Sequence, residues 1–117
     1  MEISDLVLAL TRGDLLLARQ WVADARRENV QWDAIPQPTD LGEKEAAIAA
    51  AMIELLASRA GVPAPHWTSA IGAVAEEIVL DPGLELMPRS FARAKATTPE
   101  ALRKRNLVAL PEFLEVA

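Results

Sequence analysis

The stretch EKEAAIAAAMIELLASRA, which runs from Glu43 to Ala60, decides the fold of this chain. Its large apolar side chains recur at helical spacing, at Ile48, Met52, Leu55 and Leu56. Alanines at positions 46, 47, 49, 50 and 51 leave room for other helices to approach on more than one side. The pattern therefore predicts a helix over about 43–60 at the centre of the protein.

Both ends of this helix carry boundary signals. Asp40, with Glu43 three residues later, resembles a capping box, and Gly61 is a residue type that commonly ends helices. Upstream, two prolines within residues 30–41 predict an extended loop, for which the best anchors are Trp32 and Ile35.

Two helices are predicted before that loop. Ser4 can cap a first helix that ends near Thr11, and Asp14 can cap a second that ends near Asn29. The second helix has an apolar stripe formed by Leu15, Ala18, Val22 and Ala25 and widened by Leu16 and Trp21.

Downstream of the central helix, the prolines of Val62–Thr68 predict a stiff turn. Apolar spacing then predicts a helix that Thr68 or Ser69 caps, with Ile71, Val74, Ala75, Ile78 and Val79 on its apolar side. The sequence Asp81-Pro82-Gly83 stops this helix.

Two short helices follow. The first covers Ser90–Ala96, and the second runs from Thr98, a capping residue, through Pro99 to Asn106. Residues 107–110 after it are the most β-like stretch, but a lone strand needs a partner. We therefore expect an all-α fold, a compact bundle of about five to six helices in a single domain over residues 1–117.

Composition narrows the classes of protein to consider. The 117 residues are 51% hydrophobic and contain no cysteine, which excludes disulfides and thiolate metal sites. The sequence has no secretory-signal pattern at its start and no apolar run long enough to span a bilayer. We expect a cytoplasmic protein that does not enter a membrane. Three tryptophans without a tyrosine suggest indoles that anchor junctions in the core, with a ligand-stacking platform as the alternative.

No catalytic pattern emerges from the residues. His66 is the only histidine, and the adjacent Glu76 and Glu77 point about 100° apart on a helix, which does not form a poised pair of carboxylates. The serines lack a nucleophile elbow, and the five glycines form no phosphate-binding loop. We expect neither enzymatic activity nor a cofactor, although an enzyme that uses carboxylates remains a third hypothesis.

The order of landmarks in the second half of the chain resembles a known group. These landmarks are the helix end at Leu55–Pro63, the turn Pro65-His66-Trp67-Thr68 and the step Arg103-Lys104-Arg105-Asn106 before a hydrophobic exit. They resemble uncharacterised helical proteins of actinobacteria that carry a Pro-x-Trp-Thr turn and a C-terminal Arg-x-Arg-Asn step. The resemblance covers about residues 43–117, and it implies a helical fold and a regulatory or antitoxin-like role.

Charge is distributed unevenly and suggests where a partner binds. The net charge of the chain is −5, yet residues 89–105 contain six cations and one carboxylate, a net of +5 against −10 elsewhere. The leading hypothesis is a non-enzymatic module that binds another protein or itself. We expect the contact residues to be Arg89, Arg93, Arg103, Lys104, Arg105, Leu107 and Phe113.

Two alternatives stay open for this segment. Its cations, including Lys95, suit a regulator that contacts nucleic acid phosphates, and its apolar tail suits docking on its own chain as well as on a partner. Arg103 and Arg105 lie about 200° apart on a helix, so only one of them faces the body of the protein. The sequence predicts that Arg103 is the one that faces the body, because it lies on the same side of the helix as Leu102.

Overall fold

Helix α3 (Glu43–Ala60) lies at the centre of the fold in the computed structural model, which describes residues 2–115. Ten of its eighteen residues are buried. It packs against α1 (Ile3–Thr11), α5 (Glu100–Arg103) and two 3₁₀ turns, Trp32–Ala34 and His66–Ala70. The alanines allow these neighbours to approach from several directions. The predicted central helix is therefore confirmed, with the predicted boundaries.

The two ends of α3 differ from each other in how well the sequence predicted them. Gly61 adopts a left-handed conformation, with φ of 73°, and ends the helix as predicted. The capping box is wrong: Gly42 occupies the N-cap position without a side-chain cap, and Asp40 has a φ of 62° in the preceding bend. Asp40 lies two residues before the N-cap position, because the loop turns before the helix begins.

The N-terminal helices form a hairpin. Helix α1 is followed by Gly13, with φ of 72°, and then by α2 (Leu15–Arg27), which packs against α1. The side chain of Asp14 accepts a hydrogen bond from the Leu17 amide at 3.0 Å, which confirms the predicted cap. One part of the predicted stripe is wrong: Leu16 points away from the core and is 80% exposed.

The tryptophans anchor loops against the helices. The indole N–H of Trp21 donates to the Glu2 carbonyl at 3.1 Å, and that of Trp67 donates to the Ile35 carbonyl at 2.9 Å. Trp32 is buried, with its ring centroid 6.2 Å from that of Trp21. Trp21 and Trp67 thus use their indole N–H groups to hold loop backbone against the helices, and Trp32 packs its ring in the core. These contacts confirm the interpretation that the tryptophans anchor junctions in the core.

The predicted helix over residues 69–79 is wrong. After the 3₁₀ turn His66–Ala70 the chain extends, and strand β1 (Ile78–Val79) pairs in parallel with β2 (Leu107–Val108). Because the outgoing chain supplies a partner, the β-branched residues of this stretch adopt the extended conformation that they favour. The amides of Val74 and Leu80 extend the pairing by donating to the carbonyls of Arg105 and Val108.

The last two helices support this pairing. Helix α4 (Pro88–Thr97) contains the predicted Ser90–Ala96 segment, and α5 is only four residues long. Thr98 does not cap α5, because its hydroxyl lies between the carbonyls of Ala94 and Ala109. A small second cluster of buried side chains joins α4 to β2 through Leu84, Ala94 and Val108. Across residues 2–115 the regular structure consists of five α-helices, three 3₁₀ turns and one short parallel strand pair, which confirms a mostly helical bundle.

Candidate protein-interaction surface

The basic C-terminal segment contains a buried arginine at its centre. The side chain of Arg105 is 1% exposed, and its guanidinium donates five hydrogen bonds. Two of them reach the two carboxylate oxygens of Glu54 on α3, at 2.9 and 2.8 Å. The other three reach the backbone carbonyls of Ile71, Thr68 and Ala101. Every N–H of the side chain therefore has a partner within the chain.

This geometry corrects the predicted orientation of the two arginines. Arg105 faces the body, whereas Arg103 is exposed and donates to the Ala96 carbonyl at 3.1 Å. The prediction assumed one continuous helix through both residues, but α5 ends at Arg103 and the chain turns into β2. That turn points Arg105 towards Glu54.

The environment of Glu54 favours its ionised form. Burial raises the pKa of the Glu54 carboxyl, but the hydrogen bonds from Arg105 and the contact with Lys104 outweigh that effect and lower the pKa from 4.5 to about 2. Lys104 adds a second cation, with its Nζ 2.8 Å from Glu54 Oε1. The cluster of Glu54, Lys104 and Arg105, which we call the Glu54 cluster, joins α3 to the end of α5 and to the 3₁₀ turn after α3.

Three of the predicted partner-binding residues are therefore inside the protein. Arg105 lies in the Glu54 cluster, and Leu107 and Phe113 belong to the main hydrophobic core. The apolar tail docks on its own chain, as one of the two alternatives expected. Arg105, Leu107 and Phe113 cannot contact a partner while the chain is folded.

The remaining four predicted residues, Arg89, Arg93, Arg103 and Lys104, are on the surface. Arg93 forms a bidentate ion pair with Glu112, with N–O distances of 3.0 and 3.3 Å. The Nζ of Lys95 lies 3.3 Å from a carboxylate oxygen of Glu77. The Arg93 side chain lowers the pKa of Glu112. Much of the basic charge predicted for a partner thus pairs with carboxylates of the same chain.

Glu77, one of the two adjacent glutamates considered for catalysis, and the nearby Asp81 have structural contacts. Glu77 pairs with Lys95, and Asp81 accepts a hydrogen bond from the Leu110 amide at 3.3 Å. Burial raises the pKa of Asp81, and that hydrogen bond opposes the rise. Within residues 2–115 no three carboxylate or imidazole groups are placed to hold a metal ion.

Sequence reasoning missed a surface on the N-terminal hairpin. Leu8 of α1 and Leu17 of α2 are 47% and 54% exposed, and both line a cleft of about 370 Å³ between the two helices. Ala9 and Trp21 lie deeper in this cleft, and its polar lining comes from Asp5, Arg12, Asp14, Gln20 and Asp24. We call the surface formed by Asp5, Leu8, Arg12, Leu17 and Gln20 the α1–α2 face.

Some charged side chains around this cleft have partners in the chain, and others have none. Asp14 caps α2, and Asp24 pairs with Arg27 and accepts from Gln20. Within the described part of the chain, the side chains of Asp5 and Arg12 have neither an ion pair nor a hydrogen bond. The sequence did contain an indication of this surface. Helices α1 and α2 have more leucines than one core-facing stripe can bury.

A second cleft, of about 470 Å³, lies near the ends of α2 and α3. Its apolar floor includes Val22, Trp32, Leu56 and Leu114. Arg59 at its edge donates to the Pro111 carbonyl at 3.0 Å, and burial lowers the pKa of Arg59 whereas Glu115 raises it. The Arg59 side chain therefore links the end of α3 to the backbone of the C-terminal residues around Pro111.

No protein-family model matches the chain, and the searches of curated proteins and of solved structures find no significant match. None of the helices within residues 2–115 has the length and apolar character needed to cross a bilayer.

Proposed function

We propose that this chain is a non-enzymatic protein-interaction module, of the regulatory or antitoxin-like kind, and that it binds its partner through the α1–α2 face. The observation that supports this proposal is the exposure of Leu8 and Leu17 on either side of one cleft. Exposed leucines that share a cleft are suited to burial by a partner, whereas scattered single ones need no explanation.

The ion pairs and burial of the cations in the C-terminal segment support a protein partner over nucleic acid. A nucleic-acid regulator needs cations that are available to phosphates. Arg93, Lys95 and Lys104 each pair with a carboxylate, and Arg105 is buried. The exposed cations without a carboxylate partner in this segment, Arg89 and Arg103, provide little phosphate-binding charge for a chain of net charge −5.

Variants with matched exposed leucines test this proposal. Leu8→Asp removes the apolar centre of the α1–α2 face, and Leu86→Asp changes a residue that is 80% exposed elsewhere on the surface. Tagged wild-type and variant proteins would be expressed in the native host, and captured proteins identified by mass spectrometry. Each candidate partner, including an untagged copy of this chain, would then be purified and its rebinding measured.

We expect a purified partner to bind the wild type and Leu86→Asp equally and to lose at least about tenfold in affinity for Leu8→Asp. Circular dichroism would establish that both variants remain folded. A partner that binds Leu8→Asp as well as the wild type would contradict the assignment of the α1–α2 face. The absence of any partner that rebinds would contradict the function.

A further inference from the structure

We infer that the partner seated on the α1–α2 face is a second copy of this chain, arranged by a twofold axis that passes beside Leu8. This inference rests on the proposed function of the same face. It starts from the outer side of α1, on which Asp5, Leu8 and the C-cap residue Arg12 follow one another at helical spacing.

The charge pattern along α1 is self-complementary. Asp5 precedes Leu8 by three residues and Arg12 follows it by four, so the two charges lie about 4.5 and about 6 Å from Leu8 along the helix axis. When two such helices are placed antiparallel with their Leu8 side chains together, Asp5 of each copy comes opposite Arg12 of the other. A closed twofold interface requires this kind of self-matching surface.

The ionic state of these residues agrees with that arrangement. Within residues 2–115, the side chains of Asp5 and Arg12 are without an ion pair or hydrogen bond, whereas Asp14 and Asp24 have partners in their own chain. The pairing thus uses the two charged residues of the α1–α2 face, which have no partner within residues 2–115. Antiparallel α1 helices also place the positive end of each helix dipole near the negative end of the other.

The apolar contacts agree as well. Leu17 lines the same cleft as Leu8 and is 54% exposed, so α2 contributes a second leucine beside the α1–α1 contact. The face is formed by a helix of nine residues and part of one of thirteen. An interface of this extent falls below the standard size for stable complexes, and we expect a weak, rapidly exchanging dimer.

Charge reversal tests the arrangement directly. Sedimentation velocity would be measured on purified wild type, Asp5→Arg, Arg12→Asp and the double variant at concentrations from about 10 μM to about 1 mM, the range suited to small interfaces. Either single reversal places like charges opposite each other twice in the dimer, and should weaken association about tenfold. The double reversal restores both pairs with opposite polarity and should recover association to near the wild-type level.

Leu8→Asp provides a second measurement, with Leu86→Asp as its control. We expect Leu8→Asp to remain monomeric and Leu86→Asp to associate like the wild type. Both positions are exposed, so circular dichroism should show wild-type folding for each. A wild type that stays monomeric up to about 1 mM would overturn the inference, as would a double reversal no better than the single ones.

The same experiments separate this inference from the proposed function. A monomeric wild type that nevertheless binds a different purified protein through Leu8 overturns the second-copy inference and leaves the interaction module intact. A monomer that rebinds no protein overturns both. Self-association that is insensitive to Leu8→Asp and to charge reversal overturns the inference and assigns the contact to another surface.

Discussion

The C-terminal segment and the α1–α2 face contain similar side chains, cations, carboxylates and leucines, but the fold uses them in opposite ways. In the first, Arg105 is saturated by hydrogen bonds and Leu107 is buried. In the second, Leu8 and Leu17 stay half exposed. A conspicuous sequence pattern can therefore mark residues that stabilise the fold, whereas the surface that we propose for a partner lies on two helices with no such pattern.

The largest expected difference between neighbouring residues is that between Arg105 and Arg103. Arg105→Met leaves Glu54 without its main counter-ion in a largely buried site, and we expect a loss of about 3–5 kcal/mol in the free energy of unfolding. Arg103→Met should change it by less than about 0.5 kcal/mol, because Arg103 is exposed. Chemical denaturation of both variants measures the difference. Equal losses would contradict the central role of Arg105.

Leucines from the two regions should differ nearly as much. Leu107→Ala creates a cavity in the main core and should cost about 2–5 kcal/mol in stability. Leu17→Ala removes a half-exposed side chain and should cost less than about 1 kcal/mol. Thermal melts followed by circular dichroism compare the pair. A larger loss for Leu17→Ala would place the core of the fold in the hairpin instead.

Acid should weaken the C-terminal region through Glu54. The pKa of Glu54 is lowered to about 2 in the folded protein, below the ordinary value of 4.5, so the unfolded chain binds the proton more readily. Its contribution to stability is complete above about pH 4.5 and is lost as the pH falls towards 2. After allowance for solvent screening, we expect a loss of about 2 kcal/mol.

Denaturation of the wild type and Glu54→Gln between pH 6 and pH 2.5 would measure this contribution. Glu54→Gln should be less stable than the wild type at pH 6, and the gap between them should narrow as the pH falls. A gap that stays constant across this range would show that the ion pair with Arg105 does not lower the pKa of Glu54.

The smallest effect is expected for the exposed pair between Arg93 and Glu112. Both side chains are about half exposed, so the pair is screened by solvent and salt. Arg93→Ala should leave the free energy of unfolding close to that of the wild type, and added salt should reduce any difference. Melts at low and high salt check this expectation. A loss comparable to that of Arg105→Met would mean that the pair anchors the tail.

The sequence predicted those parts of the fold that depend on local signals. The alanine stripe and Gly61 define α3, and Asp14 caps α2, because the relevant contacts lie within a few residues. The stretch 71–79 was predicted wrongly because its conformation depends on pairing with residues 105–108, which are distant in the chain. Apolar spacing alone does not reveal that partner.

The candidate site was predicted less well than the fold, for a related reason. Local charge identified Arg105 as important, but its role depends on Glu54, which lies 51 residues away. The exposure of Leu8 depends on which side of α1 faces α2 and α3, and that choice is made by packing. Counting leucines in the hairpin against the width of one core stripe could have suggested a surplus, although not which of them are exposed.

Photo-crosslinking from positions 17 and 103 in the native host compares the two regions most directly. A photoreactive amino acid would replace Leu17 of the α1–α2 face in one variant and Arg103 of the C-terminal segment in another; both positions are exposed. We expect a specific crosslinked protein species from position 17, lost when Leu8→Asp is added, and none from position 103. Crosslinks from position 103 alone would contradict it and return the contact to the basic segment.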